Sequence, residues 1–148
     1  MNARSPKQTP LPSSRPAIAS DVVPKSGRKS VLLVDPDAHS RQLLAQRLSA
    51  RYDIFEAAHG IEAVTLAKLM PEPALFVCEA ALPNVDGFRL AKILKLNDRL
   101  RSVPLVFLTS RTTSRDVAQG IAAGARRYIF KPFVPDTVCD LFTRLIDP

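Results

Sequence analysis

Tryptophan is absent and cysteine is confined to Cys78 and Cys139. Both cysteines lie inside apolar runs without metal-ligand spacing, so neither a disulfide framework nor a zinc site is expected, and buried reduced thiols are. No apolar run approaches the roughly 20 residues that a membrane-spanning helix requires. The N-terminus lacks the continuous apolar segment of a secretory signal, so a cytoplasmic location is expected. Acidic residues are also scarce: 14 stand against 21 lysines and arginines in 148 residues, a net charge of +7. That imbalance is local. Residues 1–29 hold Arg4, Lys7, Arg15, Lys25, Arg28 and Lys29 against Asp21 alone, and the rest of the chain is nearly neutral.

The same stretch carries Pro6, Pro10, Pro12, Pro16 and Pro24 with serines between them and few large apolar side chains. It has too little to bury to offset the entropy of ordering, and residues 1–29 are read as a disordered, basic, Pro/Ser-rich arm. Such an arm is either a tether for an acidic partner, nucleic acid or an anionic surface, or a solvated tail.

From Ser30 to Pro148 short apolar runs alternate with longer amphipathic stretches, the pattern of an α/β protein with a parallel sheet. Val31–Val34, Tyr52–Ala57, Leu75–Cys78, Leu105–Leu108 and Tyr128–Phe130 are the expected strands. Helices follow each: one through Leu43, Leu44 and Leu48, one through Ala63, Val64, Ala67 and Met70, and one through Leu90, Ala91 and Leu94. The fourth carries Val117, Gly120, Ile121 and Gly124, and the last places Val138, Leu141, Phe142 and Leu145 at helical spacing. No recognisable DNA-reading unit follows that helix, so specific DNA recognition is not expected.

Open parallel sheets bind ligands beyond the carboxyl ends of their strands. The residues there are Asp35, Glu79, Thr109 with Ser110, and Lys131. Four segments around them, VLLVDPDAHSR (31–41), ALPNVDGF (81–88), VPLVFLTS (103–110) and AGARRYIFKPF (123–133), occur in the order and spacing of one family. About four fifths of the chain resembles a response-regulator receiver domain of two-component phosphorelay signalling. The resemblance implies a flavodoxin-like, five-stranded parallel sheet of order 2-1-3-4-5 with helices on both faces. It also implies a signalling module, not an enzyme.

The departures from the family pattern set the functional expectation. The phosphoacceptor aspartate falls four residues before Pro83, where this chain has Glu79; of the two adjacent acids that bind magnesium, Asp35 is present and Pro36 replaces the second. Asp37 matches a following position that is often acidic. A longer carboxylate is displaced from attack, and a misplacement of about 1 Å costs on the order of 100-fold in rate. Magnesium tolerates little distortion of its oxygen shell, so its binding is expected to be weak or absent. The expectation is therefore a phosphorylation-independent pseudo-receiver acting as a protein-interaction module. Its Glu79 either imitates the activated state or forms a structural ion pair with Lys131, which can reach Glu79 or Asp35.

The resemblance further implies an output face of the fourth helix, fifth strand and fifth helix, with Thr109 and Tyr128 as the coupled pair. Arg111, Arg115, Arg126 and Arg127 lie in or beside it, either as a basic docking surface for an acidic signalling protein or as solvated side chains. A homodimer is a further assembly that this face allows. Two alternatives stand beside this reading. One is a conventional magnesium-dependent, phosphorylated single-domain response regulator in which Asp37 rescues metal binding. The other is a phosphatase of the DxD type with Asp35 as nucleophile and Asp37 as general acid/base.

Overall fold

The computed structural model describes residues 27–148. Reading 1–29 as a disordered arm therefore falls, for residues 1–26, outside the described residues. Five strands, β1 (Ser30–Val34), β2 (Asp53–Ala57), β3 (Leu75–Cys78), β4 (Leu105–Thr109) and β5 (Arg127–Phe130), form one parallel sheet in the order β2-β1-β3-β4-β5. Helices α1 (Ala38–Leu48), α2 (Gly60–Leu69), α3 (Gly87–Lys95), α4 (Ser114–Ala122) and α5 (Pro135–Ile146) follow the strands in turn. The alternating pattern predicts the parallel α/β sheet, and its flavodoxin-like order is the one that the family resemblance implies.

The continuous apolar runs are explained by burial on two sides. Side chains alternate across a strand, so Leu32, Val34, Phe76, Cys78, Leu105 and Phe107 face the cluster built with α2 and α3. Their neighbours Val31, Leu33, Leu75, Val77, Val106 and Leu108 face α1 and α5 through Leu44, Leu48, Val138, Cys139, Phe142 and Ile146. Both cysteines are free and buried. Among the described residues no helix is long and apolar enough to cross a membrane.

Two helices differ from their expected stripes. In α5, Val138 and Phe142 are core residues as predicted, but Cys139 and Ile146 complete the buried face, while Leu141 and Leu145 are only half-buried. In α4, Ile121 is exposed and Gly124 lies past the helix end at φ +103°. The helix rests on the Tyr128 ring instead: a Cβ at Gly120 would come within 2.6 Å of that ring. Periodicity marks a buried face, but an aromatic neighbour can occupy the space an aliphatic side chain was expected to fill.

The first described residues are tied to the body. Arg28 donates to the Ser49 and Tyr52 carbonyls and pairs with Asp53 at 3.2 Å, and Lys29 donates to Asp147 at 2.6 Å.

Candidate functional site

The sheet register places the site. Val34 pairs with Cys78, Cys78 with Phe107, and Thr109 with Phe130, so four strands end nearly level. Ladder bonds run one residue further, from Asp35 N to Ala57 O, Glu79 N to Val34 O and Lys131 N to Thr109 O. The next side chains to emerge are Asp35, Glu79 and Lys131, with Thr109 beside them. Their rigidity comes from the ladder, not from the loops.

The loop after β3 is folded back against Glu79. The Gly87 amide donates to the Ala80 carbonyl at 2.8 Å, and a Cβ at position 87 would collide with the Glu79 carbonyl and lie 2.7 Å from Ala80 Cα. Only glycine permits this approach, which gives the Asp86–Gly87 pair a physical role. Asn84, at φ +72°, makes the turn with a residue type suited to the left-handed region. Asp86 then caps α3, accepting from Arg89 N at 3.0 Å.

Within the crevice, Lys131 Nζ lies 2.7 Å from Asp35 Oδ2 and 3.0 Å from Glu79 Oε1. Lys131 thus bridges both acids instead of choosing one. The Thr109 hydroxyl donates to Glu79 Oε2, which also accepts from the Ala81 amide at 2.9 Å. Burial pushes the Asp35 carboxyl above the usual carboxylate range, with the bond from Lys131 pulling the other way. Burial acts to lower the Lys131 ammonium, but its bonds to Asp35 and Glu79 outweigh that and leave it raised. The Lys131 proton therefore stays in place between the two acids near neutral pH. Beneath them the enclosed space is only about 10 Å³, lined by Val34, Asp35, Arg41, Cys78 and Glu79, roughly one water's worth of room.

Asp37 is not in this cluster. It is the N-cap of α1, where Oδ1 accepts from His39 N and Oδ2 from Ser40 Oγ, both at 3.0 Å. Those bonds, Ser40 first, hold its carboxyl below the usual range. Its backbone amide, not its carboxylate, touches the crevice, donating to Asp35 Oδ1 at 2.8 Å. The sequence motif marked an acid here without showing that the helix start would claim both oxygens. This also removes the general acid that the DxD-phosphatase alternative requires.

Magnesium does not fit this donor set. Among the described residues no group of three or more His, Cys, Asp or Glu side chains is arranged to hold a metal ion. A lysine ammonium already sits between Asp35 and Glu79, the two carboxylates that converge there among the described residues. Pro36 offers no side-chain oxygen.

The four arginines do not form one patch. Arg111 is engaged: it pairs with Asp116 at 3.0 Å and stacks over the Phe88 ring at 5.0 Å. Arg115, in the first turn of α4, is exposed on the crevice side, whereas Arg126 and Arg127 are exposed at the start of β5, on the opposite edge of the sheet. A relay that the sequence reading missed runs between the crevice and Tyr128. Thr109 Oγ1 accepts from the Arg111 amide at 3.1 Å, and the Arg111 carbonyl accepts from the Tyr128 hydroxyl at 2.7 Å. Arg41 was also missed; its guanidinium reaches the Asp35 carbonyl and Glu56. Its place one turn into α1 from Asp35 was the available signal.

Buried acids bridged by one lysine at the carboxyl edge of a doubly wound sheet, with a threonine leading from them to a surface tyrosine, define an α/β signalling domain. The response regulator receiver domain family matches residues 31–143, and the chain belongs to that family. It is 34% identical over 109 residues to the probable transcriptional regulator ycf27 of Porphyridium aerugineum, covering 73% of this chain and 44% of that protein. Against the chemotaxis protein CheY1 of Helicobacter pylori it is 26% identical over 110 residues, covering 73% of this chain and 89% of that protein. The solved structure of the chemotaxis response regulator CheY4 of Vibrio cholerae superposes with a TM-score of 0.74 at 28% identity, covering 80% of this chain and 98% of that one. The chain thus spans less than half the length of the transcriptional relative.

These relatives, a probable transcriptional regulator, a chemotaxis protein and a chemotaxis response regulator, overturn the expectation of a phosphorylation-independent pseudo-receiver. That expectation rested on two departures, the extra methylene of Glu79 carrying its carboxylate out of reach and Pro36 in place of a metal ligand. Instead, Thr109, the Ala81 amide and Lys131 hold both carboxylate oxygens in the crevice. The relatives support the phosphorylated response regulator instead, without the metal rescue by Asp37 that the conventional alternative called for.

Proposed function

We propose that the chain is the receiver module of a two-component response regulator: a Glu79 carboxylate oxygen attacks the phosphorus of a phosphodonor such as acetyl phosphate, the donor's own bond to phosphorus breaks and its acetate leaves, and the change is passed to a signalling partner. The observation that carries this is the convergence of Lys131 and Thr109 on Glu79. These two donors, with the Ala81 amide, are the groups that would bind phosphoryl oxygens once an acyl phosphate formed. A phosphoryl group brings about −1.5 to −2 charge and three acceptor oxygens where a carboxylate has two, so it draws Thr109 and Lys131 more strongly. A shift of Thr109 breaks its bond from the Arg111 amide and unsettles the Tyr128 hydroxyl bound to Arg111. The signal then emerges on the face of α4, β5 and α5, where Tyr128 lies half-buried and Arg115 exposed. An open groove of about 360 Å³ beside Lys131, lined by Ser40, Leu43, Ser110, Pro132 and Phe133, gives a phosphodonor its approach.

The test is incubation of the full chain with acetyl phosphate, with and without magnesium, followed by intact mass and peptide mapping. An adduct on Glu79 that disappears in Glu79→Gln is the expected result. An unlabelled native chain beside a labelled Glu79→Asp variant would show that the crevice is competent but Glu79 is not its acceptor.

A further inference from the structure

The charges of this domain are separated along the strand axis. Of the described lysines and arginines, only Arg41, Arg89, Arg111, Arg115 and Lys131 lie towards the crevice edge, where most of the acids also gather. The others collect where the strands begin and the helices end. Among them, Lys68, Lys92, Lys95, Arg126 and Arg127 have no described carboxylate within ion-pair distance. Cations at helix C-termini favour the helix dipole, and that alone accounts for Lys68 and Lys92. It does not account for what stands between them.

Helices α2, α3 and α4 cover one face of the sheet and end on this edge, and each carries an exposed aliphatic side chain in its last turn or just after it. Leu69 is 55% exposed, Leu96 81% and Ile121 53%. The row is held in place. Arg99 bonds the Ala67 and Met70 carbonyls at 2.6 and 3.2 Å, joining the end of α2 to the loop after α3. Lys95 donates to the Val103 and Arg101 carbonyls at 2.9 and 3.1 Å. Burial, then the neighbouring Arg126, holds the Lys95 ammonium below its ordinary range.

We infer that this edge is a peripheral docking surface for an anionic lipid bilayer. Acidic headgroups would meet Lys68, Lys92, Arg126 and Arg127, and Leu69, Leu96 and Ile121 would enter the headgroup–acyl boundary, the pairing of charge and apolar insertion that interfacial binding uses. The five strand ends span about 20 Å at roughly 4.8 Å per strand, which suits a planar partner. The basic residues Arg4, Lys7, Arg15 and Lys25 precede β1, whose first residue lies on this same edge. A nucleic acid would satisfy the charges but leave three aliphatic side chains against phosphate. The surface lies opposite the crevice, so this inference stands apart from the phosphoryl reading.

The test is flotation of the full chain with phosphatidylcholine vesicles, with and without phosphatidylglycerol. Binding to the anionic vesicles alone, weakening as salt rises, is expected. Leu69→Ser with Leu96→Ser should lower the partition coefficient by about tenfold or more without changing the melting temperature. Lys92→Gln with Arg127→Gln should lower it about 25-fold, at about fivefold per cation. Arg89→Gln, on the far edge, should leave it unchanged. Equal binding to neutral vesicles, full binding by the leucine variants, or capture by duplex DNA with none by vesicles would each overturn the inference.

Discussion

Replacing Lys131 by methionine removes the ammonium but keeps most of the side-chain volume, so the expected effect is electrostatic. Lys131 Nζ is 2.7 Å from Asp35 and 3.0 Å from Glu79, and those two side chains are only 11% and 6% exposed. Removing one member of a buried ion cluster costs about 3–5 kcal/mol, because the remaining charge is left without compensation. Without the ammonium, Asp35 is left buried beside a like charge, so its carboxyl retains a proton to higher pH. Burial already raises the Asp35 carboxyl in the native protein, and the variant loses the Lys131 bond that opposes this. A carboxyl whose folded pKa exceeds its unfolded value contributes stability below the unfolded pKa and loses it as pH rises through the folded one. The penalty should therefore be full at about pH 7.5 and clearly smaller at about pH 5. Urea unfolding of both chains, followed by circular dichroism at the two pH values, measures it. A penalty below about 1 kcal/mol at the higher pH, or one that grows on acidification, would refute the bridging role.

Glu79→Asp shortens the acceptor by one methylene, drawing its oxygens away from Lys131, Thr109 and the Ala81 amide, and should lower the rate of phosphorylation by acetyl phosphate about 100-fold, read by intact mass against time; an equal or faster rate would show that the crevice is not fitted to glutamate. Gly120→Ala would drive a methyl group into the Tyr128 ring, which lies 2.6 Å from that position, and should destabilise by about 1–3 kcal/mol in a thermal melt, with a change in tyrosine fluorescence. Burial pushes the Cys139 thiol up to about 11 and raises that of Cys78 further, so neither should react with a thiol reagent at about pH 8 until urea unfolds the chain. Rapid labelling of the native protein would contradict the burial of both.

The sequence by itself determined the architecture. The continuous apolar runs of β1, β3 and β4 called for a parallel sheet covered on both faces, and a residue that follows such a strand must emerge at the sheet's carboxyl edge. That placed Asp35, Glu79, Thr109 and Lys131 together before any coordinate was known. Substitutions at 36 and 79 were equally legible, but their consequence was not, because the reach of Glu79 depends on what holds its oxygens. Tertiary structure alone decided that Lys131 bridges two acids, that Asp37 is spent capping α1, and that Arg111 is occupied while Arg126 and Arg127 lie on the far edge. It also decided that Ile121 stands in solvent with Leu69 and Leu96. The reason is common to all four. Periodicity reports which face of an element is covered, whereas the partner of a polar side chain and the neighbour of an aliphatic one are set by elements that lie far apart in the chain.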